Sequence, residues 1–384
     1  MKFNYNKQNI TEQDIATVVK TLRSERITQG EKLQEFELLL KKYFKCKYCA
    51  VVSSGTAAQF LLAKSLNWNE KDNIILSPLT FVSGANSVLS SNSKPIFVDI
   101  KKVDQNLDPI LVEKKIIELK KRKKNVRAII VTDYGGQPAD WESFRKIANK
   151  YKLKIINDNC HALGSKYNGD KSYAIKYADF IIQSFHAVKN ITTGEGGAVL
   201  TNDKKIYEKI KQFREHGFFK KKSQLVPWNY NLKDFGYNFR LSDINCSIGC
   251  SQIKRIDQIV KKRRSIAKHY DNFFKDYDFI STPNIFKNKK NSYHLYPIQI
   301  DFKTLDLSGK KFYLNLKKKF KIELQKHYIP TYRFTLYKKK FKNNYKNFKN
   351  TEIFFKNSFS IPLHLKLSLK NIKFICNGII KSLK

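Results

Sequence analysis

The chain has few acidic residues and few arginines for its size. Its 384 residues include 33 Asp and Glu against 74 Lys and Arg, which gives a formal net charge of +41. Such an excess is typical of proteins that bind nucleic acid or a membrane surface. Only 11 of the basic residues are Arg, the residue favoured for contacts to bases and phosphates, and the 63 Lys are scattered through every segment. We therefore expect no nucleic-acid partner, but an anionic substrate such as a nucleotide sugar and salt-sensitive association.

Long apolar runs are also missing, and cysteines are few. No stretch approaches the roughly 20 apolar residues that a membrane-spanning helix needs, and residues 1–10 contain no apolar signal core. We therefore expect no membrane partner, a cytoplasmic location and no disulfides. Cys46 and Cys49 have the spacing of half a zinc site or of a redox pair. The only other close pair, Cys246 and Cys250, has the spacing of one helix face, which favours plain thiols and no metal.

The chain does contain enough apolar residues for a large core, and they alternate regularly. Hydrophobic residues make up 41% of the chain, enough for one large domain with a smaller one beside it. Between Cys49 and Thr201, helical patterns separate short β-branched runs: CAVVS, NIILS, PIFVDI, AIIVTD, KIIND, FIIQS and GAVLT. This alternation predicts an α/β fold with a mostly parallel central sheet and helices on both faces. Its ligand-binding loops should follow the carboxyl ends of the strands.

The regions around this α/β core predict the domain organisation. Thr11 is expected to cap a helix near the start of the chain, and residues 242–270 predict one long helix that leads to a second domain. The last third of the chain predicts a smaller α+β domain. We therefore expect a large domain over residues 1–255 and a small C-terminal domain over residues 256–384.

Three loops after predicted strands carry the candidate chemistry. Residues 53–56, Ser-Ser-Gly-Thr, leave a strand and open a helix, so that free backbone N–H groups and a hydroxyl offer a seat for phosphate. Asp158 ends a buried strand, where a carboxylate stays ionised only beside a cation such as a protonated pyridine nitrogen. Lys189 lies between a strand end and the glycine-rich turn 190–197, where desolvation would make it nucleophilic. Taken singly, each is more simply a cap or a surface residue.

Together, a phosphate loop, a strand-end aspartate and a loop lysine meet the needs of a pyridoxal 5′-phosphate (PLP) site. At this point the chain resembles, nearly end to end, the sugar aminotransferases of the DegT/DnrJ/EryC1/StrS family, which have the PLP-dependent transferase fold of type I. Within the family it most resembles members that act in pseudaminic acid biosynthesis. The motifs that carry the resemblance are SFHAVK at 184–189, ITT at 191–193, REHG at 214–217, GYNFRL at 236–241, HLYP at 294–297 and HYIP at 327–330.

The resemblance implies roles for the residues of the three loops. Lys189 would bind the cofactor covalently, and Asp158 would pair with its pyridine nitrogen. Gly55, Thr56 and Ser184 would hold its phosphate.

It also implies a substrate pocket shared between two copies of the chain. Phe81 would stack on the cofactor ring, and His161 would lie close to it with no assigned role. Asn238 would reach the phosphate of the neighbouring subunit's cofactor, so a homodimer with shared sites is expected. The residues expected to line the nucleotide-sugar pocket are Tyr5, Glu25, Arg26, Ile27, Thr28, His327, Tyr328, Ile329 and Pro330, with Gly55, Ser184 and Asn238 beside both ligands.

The sequence departs from the family pattern on either side of the aspartate. Asn157 replaces the acidic residue that usually precedes the aspartate, and Asn159 replaces the small residue that usually follows it. These changes affect the local polarity. Some relatives of this fold carry histidine in place of the lysine and are dehydratases. Lys189 argues against that branch.

The activity implied is transfer of the amino group of L-glutamate, which leaves 2-oxoglutarate, to C4 of a UDP-linked 4-keto-6-deoxy-N-acetylhexosamine. Three alternatives stay open at this stage. They are the same chemistry on a perosamine-type or bacillosamine-type keto sugar, a basic nucleic-acid-binding protein, and a PLP-bearing regulator without turnover. Joint retention of Lys189, Asp158 and the substrate segments argues against the regulator.

Overall fold

The computed structural model describes residues 2–219, 226, 228–284, 286–341 and 345–384. The strands are β1 (Tyr48–Val52), β2 (Asp72–Leu76), β3 (Lys94–Phe97), β4 (Asn125–Thr132), β5 (Lys154–Asp158), β6 (Lys166–Tyr167), β7 (Phe180–Ser184), β8 (Gly197–Thr201), β9 (Phe218–Phe219), β10 (Asn231–Leu232), β11 (Ile280–Ser281), β12 (Lys289–Lys290), β13 (Pro297–Ile300) and β14 (Ser358–Ser360).

The helices are α1 (Glu12–Leu22), α2 (Glu31–Phe44), α3 (Gly55–Ser65), α4 (Ser83–Ser90), α5 (Pro109–Lys121), α6 (Trp141–Tyr151), α7 (Tyr173–Tyr177), α8 (Lys204–Arg214), α9 (Asp243–Ile253), α10 (Ile256–Phe274), α11 (Gly309–Phe320), α12 (Thr335–Phe341), α13 (Lys349–Asn357) and α14 (Leu369–Leu383). Short 3₁₀ turns lie at Tyr134–Gly136, Thr331–Arg333 and Tyr345–Asn347.

A seven-stranded sheet forms the centre of the molecule, in the order β1-β8-β7-β5-β4-β2-β3. Neighbours from β7 to β3 run parallel, whereas β8 is antiparallel to both β7 and β1. The carboxyl ends of β1, β5 and β7 therefore meet at one edge of the sheet, where ligands bind in folds of this kind. The predicted α/β fold with a mostly parallel sheet is confirmed.

Both faces of this sheet are covered, which explains why its strands are nearly continuous apolar runs. One face packs against α2, α5, α6 and α9, with Phe36, Trp141 and Phe144 fully buried in that cluster. The other face packs against α3, α4 and α8, and its cluster includes Leu61 and Phe213. The sheet is thus a rigid platform that fixes the positions of the loops at its edge.

A second apolar core lies beyond the sheet. It joins the three-stranded sheet β11-β13-β14 to α11, α14 and the later part of α10, from Ile266 onward. The first part of α10, including Ile256 and Val260, packs in the core of the large sheet instead. Phe3 packs in the second core, so the start of the chain runs along the small unit. The domain boundary at residue 255 stays a proposal.

Two local predictions for helices have different outcomes. Thr11 caps α1 as predicted, and its side chain and that of Asp14 form reciprocal bonds to the backbone. The single helix expected over residues 242–270 is wrong, because the chain breaks between α9 and α10. Arg255 leaves helical geometry there, with φ −115° and ψ 16°. Its guanidinium pairs with the buried carboxylate of Asp14, a contact between distant segments that the sequence could not show.

The described residues contain no helix long and apolar enough to cross a membrane. All six cysteines are free thiols. Burial raises the pKa of Cys46 to about 11 and that of Cys250 to about 12. In the described parts of the chain, no group of three or more His, Cys, Asp and Glu side chains is arranged to hold a metal ion.

Candidate active site

The loop between β1 and α3 forms an anion seat. The hydroxyl of Ser54 accepts a hydrogen bond from the backbone N–H of Ala57 at 3.0 Å and so caps α3. The first backbone N–H groups of the helix, at Gly55 and Thr56, are left without intrahelical partners. A side chain at Gly55 would put its Cβ 2.9 Å from the Cβ of Ser184, so glycine lets this loop lie directly against the end of β7.

Asp158 lies at the end of β5 with 6% of its surface exposed. Its Oδ2 accepts hydrogen bonds from Gln59 at 3.4 Å and from Thr132 at 3.5 Å, and its Oδ1 accepts one from the backbone of Cys160 at 3.3 Å. Among the residues that the structure describes, no basic side chain forms an ion pair with it. A buried carboxylate held in this way calls for a cationic ligand.

Lys189 lies in a turn after β7 that hydrogen bonds hold in place. Its backbone N–H donates to the carbonyl of His186 at 2.9 Å, and the amide of Asn6 donates to the carbonyl of Val188 at 2.7 Å. Burial lowers the pKa of Lys189, while the negative charge of Asp158 acts in the opposite direction. A larger fraction of its amine is therefore unprotonated and nucleophilic than for a surface lysine.

These loops border one cavity of about 390 Å³. It brings together many of the predicted site residues, far apart in the chain: Tyr5, Gly55, Thr56, Phe81, Asp158, His161, Ser184, Lys189, His327 and Tyr328. Phe81 is 55% exposed, and its ring centre lies 6.0 Å from that of Tyr328. The cavity thus combines an anion seat, a buried carboxylate, a half-buried lysine and aromatic walls.

Three histidines in the cavity wall are kept neutral. Burial lowers the pKa of His161 and His294 well below the usual value, and the charge of Lys189 lowers both further. Burial and the same lysine lower the pKa of His327 to about 3. A fourth histidine, His186, is at the rim, with Nε2 3.8 Å from a carboxylate oxygen of Glu195. The inner wall therefore offers neutral imidazoles that can donate or accept hydrogen bonds.

Other predicted residues do not reach this cavity within one chain. Asn238 is exposed and pairs through its backbone with Glu215. Glu25 and Arg26 line a separate open cavity of about 1000 Å³ between the later part of α1 and the start of α2. The remaining predicted residues away from the Lys189 cavity are Ile27, Thr28, Ile329 and Pro330.

The structure also adds residues that were not predicted for the site. Gln59 and Thr132 hold Asp158 from α3 and β4, and His294 lines the cavity from the small unit. His294 lies in the HLYP motif, which was the only sequence signal for it. Gln59 and Thr132 gave no signal, because only the packing of α3 and β4 against β5 brings them to the carboxylate.

The residues present fit pyridoxal phosphate. The anion seat at Gly55 and Thr56 lies against the Ser184 hydroxyl, Asp158 is a buried carboxylate without a basic partner among the described residues, and Lys189 is in the same cavity. These groups match the phosphate, the pyridine nitrogen and the aldehyde carbon of the cofactor, respectively.

Comparison with known proteins supports the same conclusion. The model of the DegT/DnrJ/EryC1/StrS aminotransferase family matches residues 8–380. A UDP-4-amino-4,6-dideoxy-N-acetyl-beta-L-altrosamine transaminase from Campylobacter jejuni is 38% identical over 377 residues, which cover 97% of this chain and 95% of that protein. The transaminase of the same name from Helicobacter pylori is 35% identical, with 99% and 98% covered.

Solved structures agree with the sequence matches. Helicobacter pylori PseC, an aminotransferase involved in the biosynthesis of pseudoaminic acid, superposes with a TM-score of 0.90 at 34% identity and covers 100% of this chain and 99% of its own. The PLP form of Spr1654, a putative sugar aminotransferase from Streptococcus pneumoniae, has a TM-score of 0.89 at 27% identity, with 100% and 99% covered.

The predicted aminotransferase activity and the predicted dependence on PLP are thereby confirmed at the level of the family. The resemblance seen in the sequence motifs extends over nearly the whole chain and over the whole fold. The chain belongs to the DegT/DnrJ/EryC1/StrS aminotransferase family.

Proposed function

We propose that this protein transfers the amino group of L-glutamate to C4 of a UDP-linked 4-keto-6-deoxy-N-acetylhexosamine. The observation that carries the proposal is the meeting of Gly55, Asp158, Ser184 and Lys189 in one cavity. The choice of sugar draws further support from the transaminases of Campylobacter jejuni and Helicobacter pylori, which match along nearly their whole length.

In this proposal Lys189 transfers the proton, and Asp158 stabilises the positive charge on the cofactor ring. Bound PLP supplies an electron sink and carries the amino group from donor to acceptor. Lys189 would hold it covalently through Nζ, and the same amine, when free, would take the proton from the α-carbon of glutamate. Its lowered pKa favours that exchange, because burial makes the amine easier to deprotonate. The charge of Asp158 would keep the ring nitrogen protonated, and Gln59 and Thr132 hold the carboxylate in place.

The other residues of the cavity wall would bind and orient the cofactor and the sugar. Gly55, Thr56 and the hydroxyl of Ser184 would hold the phosphate, and Phe81 would cover the ring. His161 lines the same cavity and would lie close to the ring. Tyr5, His327 and Tyr328 would contact the sugar, and Ile329 and Pro330 would shape the same segment.

We propose a homodimer with shared sites. The exposed position of Asn238, outside the cavity of its own chain, agrees with a role at the cofactor phosphate of a second copy. The cavity lined by Glu25 and Arg26 lies beside exposed apolar side chains of α1 and the segment after it, which a second copy would cover: Ile15, Val19, Leu22 and Ile27. On this proposal Glu25, Arg26, Ile27 and Thr28 reach the partner's nucleotide sugar. We place the enzyme in the cytoplasm, which its free cysteines suit.

The experiment that tests the function is mass spectrometry of the sugar product. Purified protein is incubated with ¹⁵N-labelled L-glutamate, PLP and a panel of UDP-linked and GDP-linked 4-keto sugars. We expect ¹⁵N in the UDP-linked 4-amino-4,6-dideoxy-N-acetylhexosamine. An equal amount of unlabelled 2-oxoglutarate should form with it, and Lys189→Ala should give neither product. Labelling of a perosamine-type or bacillosamine-type sugar alone would overturn the choice of acceptor. Labelling of none would overturn the function.

A further inference from the structure

The hydrogen bonds of His161 fix which of its nitrogens carries the hydrogen. The backbone N–H of Gly135 lies 3.3 Å from Nδ1, and a backbone N–H can only donate. Burial lowers the pKa of His161, and the charge of Lys189 lowers it further, so the ring is neutral and has a single N–H. Because Nδ1 accepts, the hydrogen is on Nε2.

This tautomer in turn fixes the orientation of a tyrosine hydroxyl. Nε2 of His161 lies 3.0 Å from Oη of Tyr328, so His161 donates and Tyr328 accepts. Burial raises the pKa of Tyr328 well above its usual value, and the phenol keeps its own hydrogen. Among the described residues, no acceptor takes that hydrogen, and Tyr328 borders the cavity that contains Lys189. The cavity therefore has an oriented hydroxyl whose hydrogen is available to a ligand.

A second tyrosine in the same region, Tyr134, differs from Tyr328 in the use of its hydroxyl hydrogen. Tyr134 is buried, and its hydroxyl donates to the backbone carbonyl of His327. Its hydrogen is therefore already used within the protein. Tyr134 does not border the cavity, whereas the ring of Tyr328 lies next to that of Phe81, the residue predicted to cover the cofactor. Of these two tyrosines, only Tyr328 has the position and the free hydrogen of a donor to the substrate.

We propose that Tyr328 donates its hydroxyl proton to the C4 carbonyl oxygen of the acceptor sugar, and that His161 is a positioning residue for this donor. The inference rests on the proposed function and names the proton donor for the second half of the reaction, in which the amino group passes to the sugar. In that half the C=O bond at C4 is replaced by a C=N bond. The oxygen leaves as water, with the two hydrogens that the incoming amine gives up. Tyr328 gives one proton to the oxygen and recovers one from the nitrogen, so it is unchanged overall.

An equilibrium measurement tests the hydrogen bond apart from turnover. Calorimetry gives the affinity of the UDP-linked 4-keto sugar for Lys189→Ala and for the same variant with Tyr328→Phe, with UDP alone as the reference ligand. We expect the second change to weaken binding of the keto sugar about fivefold, the loss typical of one hydrogen bond, and to leave UDP unchanged. Equal affinity for the keto sugar would overturn the proposal.

A kinetic comparison separates the two halves of the reaction. Stopped-flow absorbance follows the glutamate half and the sugar half in wild type, Tyr328→Phe and Tyr134→Phe. We expect Tyr328→Phe to slow the sugar half by on the order of 100-fold and the glutamate half by less than about threefold. Tyr134→Phe should not slow one half selectively. His161→Phe should slow the sugar half, and His161→Gln, which keeps a donor, should restore part of the rate.

The outcomes for the two proposals are distinct. If wild type converts the keto sugar and Tyr328→Phe converts it equally fast, the function stands and the role of Tyr328 is wrong. If wild type converts glutamate but none of the keto sugars, the proposed function fails, and this inference fails with it. A slowing of both halves to the same extent would make Tyr328 a structural residue and overturn the inference.

Discussion

The side-chain amide of Asn157 donates to the carboxylate of Asp133 at 3.1 Å, inside the protein. The amide of Asn159 donates to the same oxygen at 3.0 Å. These two residues flank Asp158 in the chain, and they are the positions at which the sequence departs from the family pattern. Asp133 is a second buried carboxylate in this region, directly after the neighbouring strand β4, and it anchors both sides of Asp158.

Asp133 also makes a specific contribution to stability. Burial raises its pKa to about 6, although hydrogen bonds from Tyr173, Ala139 and Trp141 oppose this. A raised pKa in the folded state gives stability that is fully present below the unfolded pKa, about 4, and is lost as the pH rises through about 6.

Replacement of Asp133 by asparagine should therefore destabilise the protein more at pH 5 than at pH 7.5, by about 1 kcal/mol. An amide also places hydrogens against groups that already donate, so we expect a loss of about 2 kcal/mol or more at both pH values. Urea unfolding at the two pH values measures this. Tyr173→Phe removes a hydrogen bond that holds this pKa down, so the pH-dependent loss of stability should move to higher pH than in wild type. An equal loss at both pH values for Asp133→Asn would show that this carboxyl does not titrate near pH 6.

Asp158→Asn should impair transamination far more than cofactor binding. The amide cannot hold the ring nitrogen in its protonated form, so the electron sink is lost, while the phosphate seat at Gly55 and Thr56 is intact. We expect the rate to fall on the order of 100-fold or more. Absorbance after gel filtration should show that the variant still retains the cofactor. A rate near that of wild type would show that Asp158 does not have this role.

Gly55→Ala should weaken the binding of the phosphate group. The added Cβ would lie 2.9 Å from the Cβ of Ser184 and would push the anion seat away from β7. We expect the affinity of the protein for PLP, measured by fluorescence titration, to fall about tenfold. Gly84→Ala is the matched control, since its nearest neighbour would be 3.8 Å away, and it should bind as wild type does. If both variants bound equally well, the contact at Ser184 would not shape the seat.

Two inactive variants should restore activity to each other if the sites are shared. Lys189→Ala removes the amine, and Asn238→Asp places a negative charge near the partner's cofactor phosphate. A hybrid dimer pairs an intact Lys189 with an intact Asn238 at one of its two sites, so mixing should recover up to about a quarter of wild-type activity. No recovery after verified subunit exchange, or a fully active monomer in sedimentation, would place the whole site within one chain.

The sequence predicted the elements of the sheet because local patterns carry that information. The runs KIIND, FIIQS and GAVLT correspond to β5, β7 and β8 residue for residue, since strands buried on both faces are continuous apolar runs. Strand order and direction are set by packing between distant segments. The antiparallel β8 and the break at Arg255 were therefore not predictable from local patterns.

Local patterns also predicted some residues of the site and missed others. Asp158 ends β5 and Lys189 follows β7, so the sequence could predict that they meet at one edge of the sheet. Gln59 contacts Asp158 only because α3 packs across the sheet, and nothing in its own segment marks it. The donor role inferred for Tyr328 depends on the N–H of Gly135, which lies far away in the chain.

We propose that Lys189, one of 63 lysines, is the residue that binds the cofactor covalently. Borohydride reduction of the purified PLP-loaded protein, followed by protease digestion and peptide mass spectrometry, tests it most directly. We expect a phosphopyridoxyl label on the peptide that contains Lys189, and no labelled peptide from the Lys189→Ala variant. A label on a different lysine, or labelling that persists in Lys189→Ala, would contradict it.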